Sequence, residues 1–165
     1  MKKNSENGLS AASSSAGIEK IKEIERLTTW AVFGLSMITF GFYTFFWLFS
    51  RTKILNQNLH EEDRIASWIP IVGVISFILY FALSIGPALM ISSNPELAAT
   101  LMGIGGIIGL VYIIMFLVWI FKFRSRLNLL SGSHSGETFW LGGILTFFAN
   151  ILYFQWKINQ IHDHG

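Results

Sequence analysis

Few side chains in this sequence could do acid–base, metal or nucleophilic chemistry, and their spacing argues against each. The four histidines are His60, His134, His162 and His164. His162 and His164 flank Asp163 in the closing HDHG. Spacing of i,i+2 on a helix sends two side chains to different faces, and a metal site needs three or four convergent ligands. The expectation is therefore a frayed, solvated end. His60 sits with Glu61, Glu62 and Asp63 in a polar loop, and His134 in the turn SGSHSGE. Cysteine is absent, which removes disulfides, thiol catalysis and thiolate metal sites. The run GIGGIIG at 103–109 imitates a phosphate-binding loop, but it lies inside an apolar stretch with no strand before it. Neither H-E-x-x-H nor G-x-S-x-G occurs. No catalytic, cofactor-binding or metal residue is expected, and the chain reads as a non-enzyme.

The elements that carry these residues are apolar. Of 165 residues, 52% are hydrophobic, 15% aromatic and only 13% charged, against roughly 25% charged in a soluble domain. Twelve basic and ten acidic side chains could not cover a soluble globule holding fifteen Phe. This excludes a soluble enzyme, a disordered chain or a nucleic-acid-binding domain, and predicts an all-α integral membrane protein. Residues 1–17 read as a flexible tail of Ser, Ala, Asn and Gly. Residues 18–165 read as one helical membrane domain. Ile18, Ile21, Ile24 and Leu27 form a stripe on a short amphipathic N-terminal helix, either lying on the membrane surface or leading into the next span.

Four uncharged windows follow, at about 28–50, 67–91, 97–121 and 138–156. About twenty apolar residues cross a bilayer core of ~30 Å; the fourth window barely reaches that length. Pro87 should kink or end the second helix near its far side, and SSNPE at 92–96 closes a tight hairpin between the second and third. If all four windows cross, Lys and Arg divide six against six, and the positive-inside rule is silent. If the first and fourth are re-entrant or kinked and do not cross, all twelve fall on one side. Four crossings are the favoured expectation, because lipid-exposed irregular backbone is costly. Either way both termini are placed in the cytoplasm, and the protein in the bacterial cytoplasmic (cell) membrane as a multi-pass protein.

Three window exits share a pattern: Arg51-x-Lys53…Asn56, Arg124-x-Arg126-x-Asn128 and Gln155-x-Lys157-x-Asn159. Either these are equivalent exits at one basic interface, or each helix end has acquired basic residues for snorkelling; the second is favoured. The first window also holds Thr39-Phe40-Gly41-Phe42-Tyr43-Thr44-Phe45-Phe46-Trp47. This T-x-G-[apolar]-Y-x-x-[apolar]-W run, followed by a basic helix ending in Asn, resembles the bacterial membrane family called domain of unknown function 4234 over roughly Thr29 to Leu59. The closing ILYFQWKINQI is similar to that family's end. The resemblance implies a small multi-pass protein with no assigned activity, substrate or cofactor.

The residues singled out are therefore packing positions. Gly41 permits a kink or a close neighbour. Ala82 and Gly86, and Gly105 and Gly109, form small-x-x-x-small faces suited to helix contact, within the hairpin first and between copies second. Asn150 is the most polar residue inside a window and should hydrogen-bond across helices. Tyr43 and Trp47, at i,i+4, read as an interfacial aromatic belt. No Asp, Glu, Lys, Arg or His lies inside the windows, which argues against a proton-coupled carrier. The expected function is a non-enzymatic component associating with the lipid bilayer, with a second copy or with another membrane protein, and not with nucleic acid. The alternative is an oligomeric pore or carrier for a small neutral or apolar solute, with Ser36, Thr39, Tyr43 and Asn150 as its polar stripe.

Overall fold

A computed structural model describes residues 15–165. Among these the chain is helical, without strands. Helix α1 covers residues 15–22. It is followed by α2 (Thr29–Ile38), α3 (Phe42–Gln57), a single 3₁₀ turn (Glu61–Asp63), α4 (Trp68–Met90), α5 (Pro95–Ser131) and α6 (Gly143–His164). Of the tail expected over residues 1–17, residues 1–14 lie outside the described part, and residues 15–17 already belong to α1. Where the sequence suggests one membrane domain, backbone contacts cluster in two units. One gathers the residues up to Ile65 with Ile120–Gly165; the other is Ala66–Trp119.

The second unit is the expected hairpin. Pro70 stands in the first turn of α4, where its missing N–H is harmless. Pro87 lies inside the helix, which ends one turn later at Met90. In the turn, the N–H of Asn94 donates to the Met90 carbonyl (2.8 Å), and Asn94 Oδ1 accepts from the N–H of Leu97 (3.1 Å), which starts α5. Helices α4 and α5 are long and apolar enough to cross a membrane, with mean hydropathy 2.3 and 2.6 in windows of which only 28% and 22% is buried. Their low burial separates them from the core helices of a soluble protein, which are apolar because they are covered. Helix α5 runs ten residues past its apolar window because no breaker intervenes before Gly132. There the chain turns left-handed (φ 64), and the N–H groups of Gly132 and Ser133 return to the carbonyls of Leu129 and Asn128. This Schellman closure satisfies two of the last carbonyls.

The first unit departs from the expectation of four straight crossings. The first window is cut after Ile38. Phe40 (φ 51) and Gly41 (φ 88) are both left-handed, and the N–H groups of Phe40 and Gly41 donate to Met37 and Ser36. This is the same closure as at Gly132, with a phenylalanine in the glycine position. Ser36 and Thr44 would lie about 12 Å apart along a straight helix, yet their hydroxyls meet at 3.4 Å. The chain therefore folds back. The fourth window is cut at Asn150 (φ 31, ψ −113). The N–H of Gly142 donates to Tyr153 Oη at 3.0 Å, across a stretch that a straight helix would extend by about 16 Å. The ends of each window meet: Arg51 pairs with Glu25 at 3.3 Å, and Lys157 Nζ donates to the Thr138 carbonyl. The first and fourth windows, for which the sequence leaves a kinked or re-entrant course open, are thus folded back, while the second and third form two long helices.

The N-terminal helix is also more than a surface helix or a solvated lead-in. Ile21 and Ile24 are fully buried, and a methyl group placed on Gly17 would overlap the Leu130 carbonyl. The chain end docks beside it: His162 Nε2 lies 2.9 Å from the Ile24 carbonyl, Arg26 pairs with Asp163 at 2.8 Å, and Lys22 reaches the Gly165 carbonyl. The expected frayed HDHG end is helical through His164. Its two histidines do not converge with other ligands, and among the described residues no group of three or more His, Asp or Glu could hold a metal.

Candidate functional site

Two features of the first unit bear on function. The first is a buried aromatic and polar centre. Trp47 is 1% exposed, so it lies in the interior and not in an interfacial belt. Its ring stacks on Phe154 and meets Phe123 edge-on. Its Nε1–H donates to Gln155 Oε1 at 2.8 Å. Gln155 Nε2 in turn donates to Asn159 Oδ1 (3.0 Å), and Asn159 Nδ2 donates to the Leu27 carbonyl (2.7 Å). A buried indole N–H left unpaired would cost about 1–3 kcal/mol, and this chain of amides removes that cost. Arg51 is buried beside it, with its guanidinium 5.8 Å from the Trp47 ring centroid. Lys157, also buried, has its pKa lowered by loss of hydration.

The three matching exits acquire a physical role here. Asn56 accepts the N–H of Ile65 and donates to its carbonyl, both at 2.9 Å. Asn128 does the same to Leu141, at 2.8 and 3.2 Å. Asn159 holds Leu27 as above. Asn56 and Asn128 each pair in both directions with the connecting backbone before the next helix, imitating the pairing of a strand; Asn159 makes a single bond, to the backbone before α2. The snorkelling explanation favoured from sequence accounts for none of these contacts. Arg124 adds a bond to the Leu141 carbonyl (2.7 Å) and stacks over Trp140, while Arg126 pairs with Asp63 at 3.1 Å.

The second feature is a groove of about 460 Å³ where the two breaks come together. It is lined by Phe33, Ser36, Met37, Phe40, Gly41 and Thr44 from the first window and by Asn150, Ile151 and Leu152 from the fourth. Asn150 does not bond across helices as expected: its Oδ1 accepts from the next residue, the N–H of Ile151, at 2.6 Å, capping the second half of α6. Of the residues proposed as a polar stripe, Ser36 and Asn150 line the groove. Thr39 is occupied in the break, donating to the Leu35 carbonyl and accepting from the N–H of Tyr43. Tyr43 packs against Phe46. Thr44 was missed, because nothing local marks it. Breaks in two apolar segments are a recognisable mark of a binding site in membrane proteins, but from sequence only Gly41 hinted at one of them.

In the second unit, Gly105 and Gly109 face α4. A Cβ on Gly105 would sit 3.1 Å from Leu83 Cβ, and one on Gly109 2.9 Å from the Tyr80 ring. Ala82 and Gly86 are exposed, and Gly86 has open space around it, so the α4 pair takes no part in that contact. Tyr80 stacks on Tyr112 across the hairpin.

A family model described as a domain of unknown function (DUF4234) matches residues 27–129. The chain therefore belongs to that family. The match takes in α2 to α4 and nearly all of α5, well beyond the aromatic motif, and stops before the closing ILYFQWKINQI. No curated protein and no solved structure matches the chain.

Proposed function

We propose that this DUF4234 protein is a non-enzymatic membrane component that works by holding lipids and membrane-protein partners, with α4 and α5 crossing the bilayer and the two folded-back windows entering and leaving by the cytoplasmic face. One observation carries the reading: each folded-back window has its two ends tied together by side chains, Glu25 to Arg51 and Thr138 to Lys157. A crossing segment would hold its ends about 30 Å apart. Around the breaks, Trp30, Ile38, Phe40, Ile144 and Phe148 are each exposed over three-quarters or more of their surface. Side chains of that kind need lipid or a protein partner to cover them. With the folded-back windows, all twelve Lys and Arg fall on the cytoplasmic side, as the charge rule favours. The breaks turn the balance away from four crossings, because their backbone groups are partly satisfied by the side chains of Thr39 and Asn150.

The absence of cysteine makes the test direct. Single cysteines are exposed to a membrane-impermeant thiol reagent on intact cells. Ser93→Cys should label from outside, while Asn58→Cys, Ser133→Cys and Asp163→Cys should stay protected until the membrane is opened. Labelling of Asn58→Cys and Ser133→Cys from outside would restore four crossings. Crosslinking and co-purification should recover a partner, a second copy or bound lipid; a strict monomer free of all three would refute the functional reading.

A further inference from the structure

We infer that the groove between the two helix breaks binds an uncharged lipophile through a carbonyl oxygen. The inference rests on the membrane reading above for the origin of the ligand, and on the groove's own chemistry for its identity. No lining residue is ionisable, so a charged headgroup would enter without a counter-charge. Most of the wall is apolar: Phe33, Met37, Phe40, Ile151 and Leu152. The volume of about 460 Å³ falls in the range of small-molecule sites.

Two donors in that wall have no acceptor. Asn150 uses its Oδ1 on the N–H of Ile151, which leaves the Nδ2 amide hydrogens unpaired. Ser36 Oγ accepts from Thr44 Oγ1, which leaves its own hydrogen free. Two donors without acceptors in an apolar wall call for a ligand that accepts, and a carbonyl accepts two hydrogen bonds at once. Depth narrows the class further. On the membrane reading above, with α2 starting at the surface and running inward, its ten residues put the break about 15 Å deep, half the thickness of a ~30 Å core. Phospholipid esters stay near the surface, whereas quinones and neutral glycerides enter the middle. The backbone agrees, since among the described residues both non-glycine positions with positive φ, Phe40 and Asn150, line this groove. Strain of this kind gathers at binding sites.

The test titrates the full chain in detergent with a decyl-substituted benzoquinone and with dioctanoylglycerol, which separate the two sources of carbonyl. Decylbenzene, lacking an acceptor, and dioctanoylphosphatidylcholine serve as comparisons. At least one carbonyl probe should bind saturably, about tenfold tighter than decylbenzene and tighter than the phospholipid. Ser36→Ala and Asn150→Gly should each weaken it by about five- to tenfold; glycine tolerates the positive φ at 150. Ser84→Ala, in the other unit, should bind as the unaltered chain does. Equal binding of decylbenzene, equal binding of the phospholipid, or no saturable binding would each overturn the inference without any variant having to fold. Because the titration is done without a bilayer, its failure is distinct from failure of the cysteine labelling, which tests the topology alone.

Discussion

The α4–α5 hairpin and the unit built on α2, α3 and α6 both draw on uncharged windows, yet are held together in opposite ways. The hairpin keeps its backbone bonds within two continuous helices, and its partners meet through side-chain shape: Gly105 under Leu83, Gly109 under Tyr80, Tyr80 on Tyr112. The other unit interrupts its helices and repairs the loss with side chains bonded to backbone, through Thr39, Asn56, Asn128, Asn150 and Asn159. An unbroken helix needs only close packing, because its own carbonyls satisfy it. A broken one needs a polar side chain at each cut, because hydrocarbon offers no replacement partner.

The largest break in this contrast should come from the buried centre. Trp47→Ala should destabilise the protein by about 3–5 kcal/mol, and Trp47→Phe, which keeps an aromatic ring but loses the N–H to Gln155 and part of the indole volume, by about 1–3 kcal/mol. Equilibrium unfolding in detergent measures both; equal losses would show that the Gln155 bond dominates over packing. Next comes the backbone pairing. Asn128→Ala leaves the N–H of Leu141 without its partner and the Leu141 carbonyl with Arg124 alone, and should cost about 1–3 kcal/mol; Asn56→Ala strips both polar groups of Ile65 and should cost at least as much. A hairpin unaffected by packing changes would erase the comparison from the other side. Gly109→Leu should cost about 1–3 kcal/mol through overlap with Tyr80, and Gly105→Leu should also lower the melting temperature. Ile108→Leu, and Gly103→Leu in open space, should stay within about 0.5 kcal/mol. The smallest effect has the opposite sign. Phe40 occupies a left-handed position that costs a non-glycine residue about 1–2 kcal/mol, so Phe40→Gly should stabilise by up to about 1 kcal/mol after the added chain entropy. A fall in melting temperature would show that the Phe40 side chain supports the groove.

Much of this was legible. The uncharged windows announced helices, SSNPE announced the hairpin turn, and Gly105 and Gly109 mark the face of α5 that meets α4. The three exits ending in asparagine were visible as a pattern. What misled was the length of the first window, which suffices for a crossing and carries only Gly41 as a sign of interruption. Phe40 could not be foreseen in a left-handed turn, since bulky residues avoid it; the turn is closed by the backbone bonds of Phe40 and Gly41 to Met37 and Ser36. Trp47 read as interfacial because indole suits that zone, but its burial depends on Gln155, 108 positions away.

The sequence by itself therefore determined class, family and the apolar segments, because transfer of side chains from water to hydrocarbon is a sum over residues and is indifferent to where the chain later turns. Tertiary structure alone decided which segments run straight, which ends meet, and which polar atoms remain without partners at the groove. Those outcomes depend on hydrogen bonds between residues far apart in the chain, such as Asn159 with Leu27 and Lys157 with Thr138. Such bonds have direction and reach of about 3 Å, and no local pattern of residue types specifies that geometry.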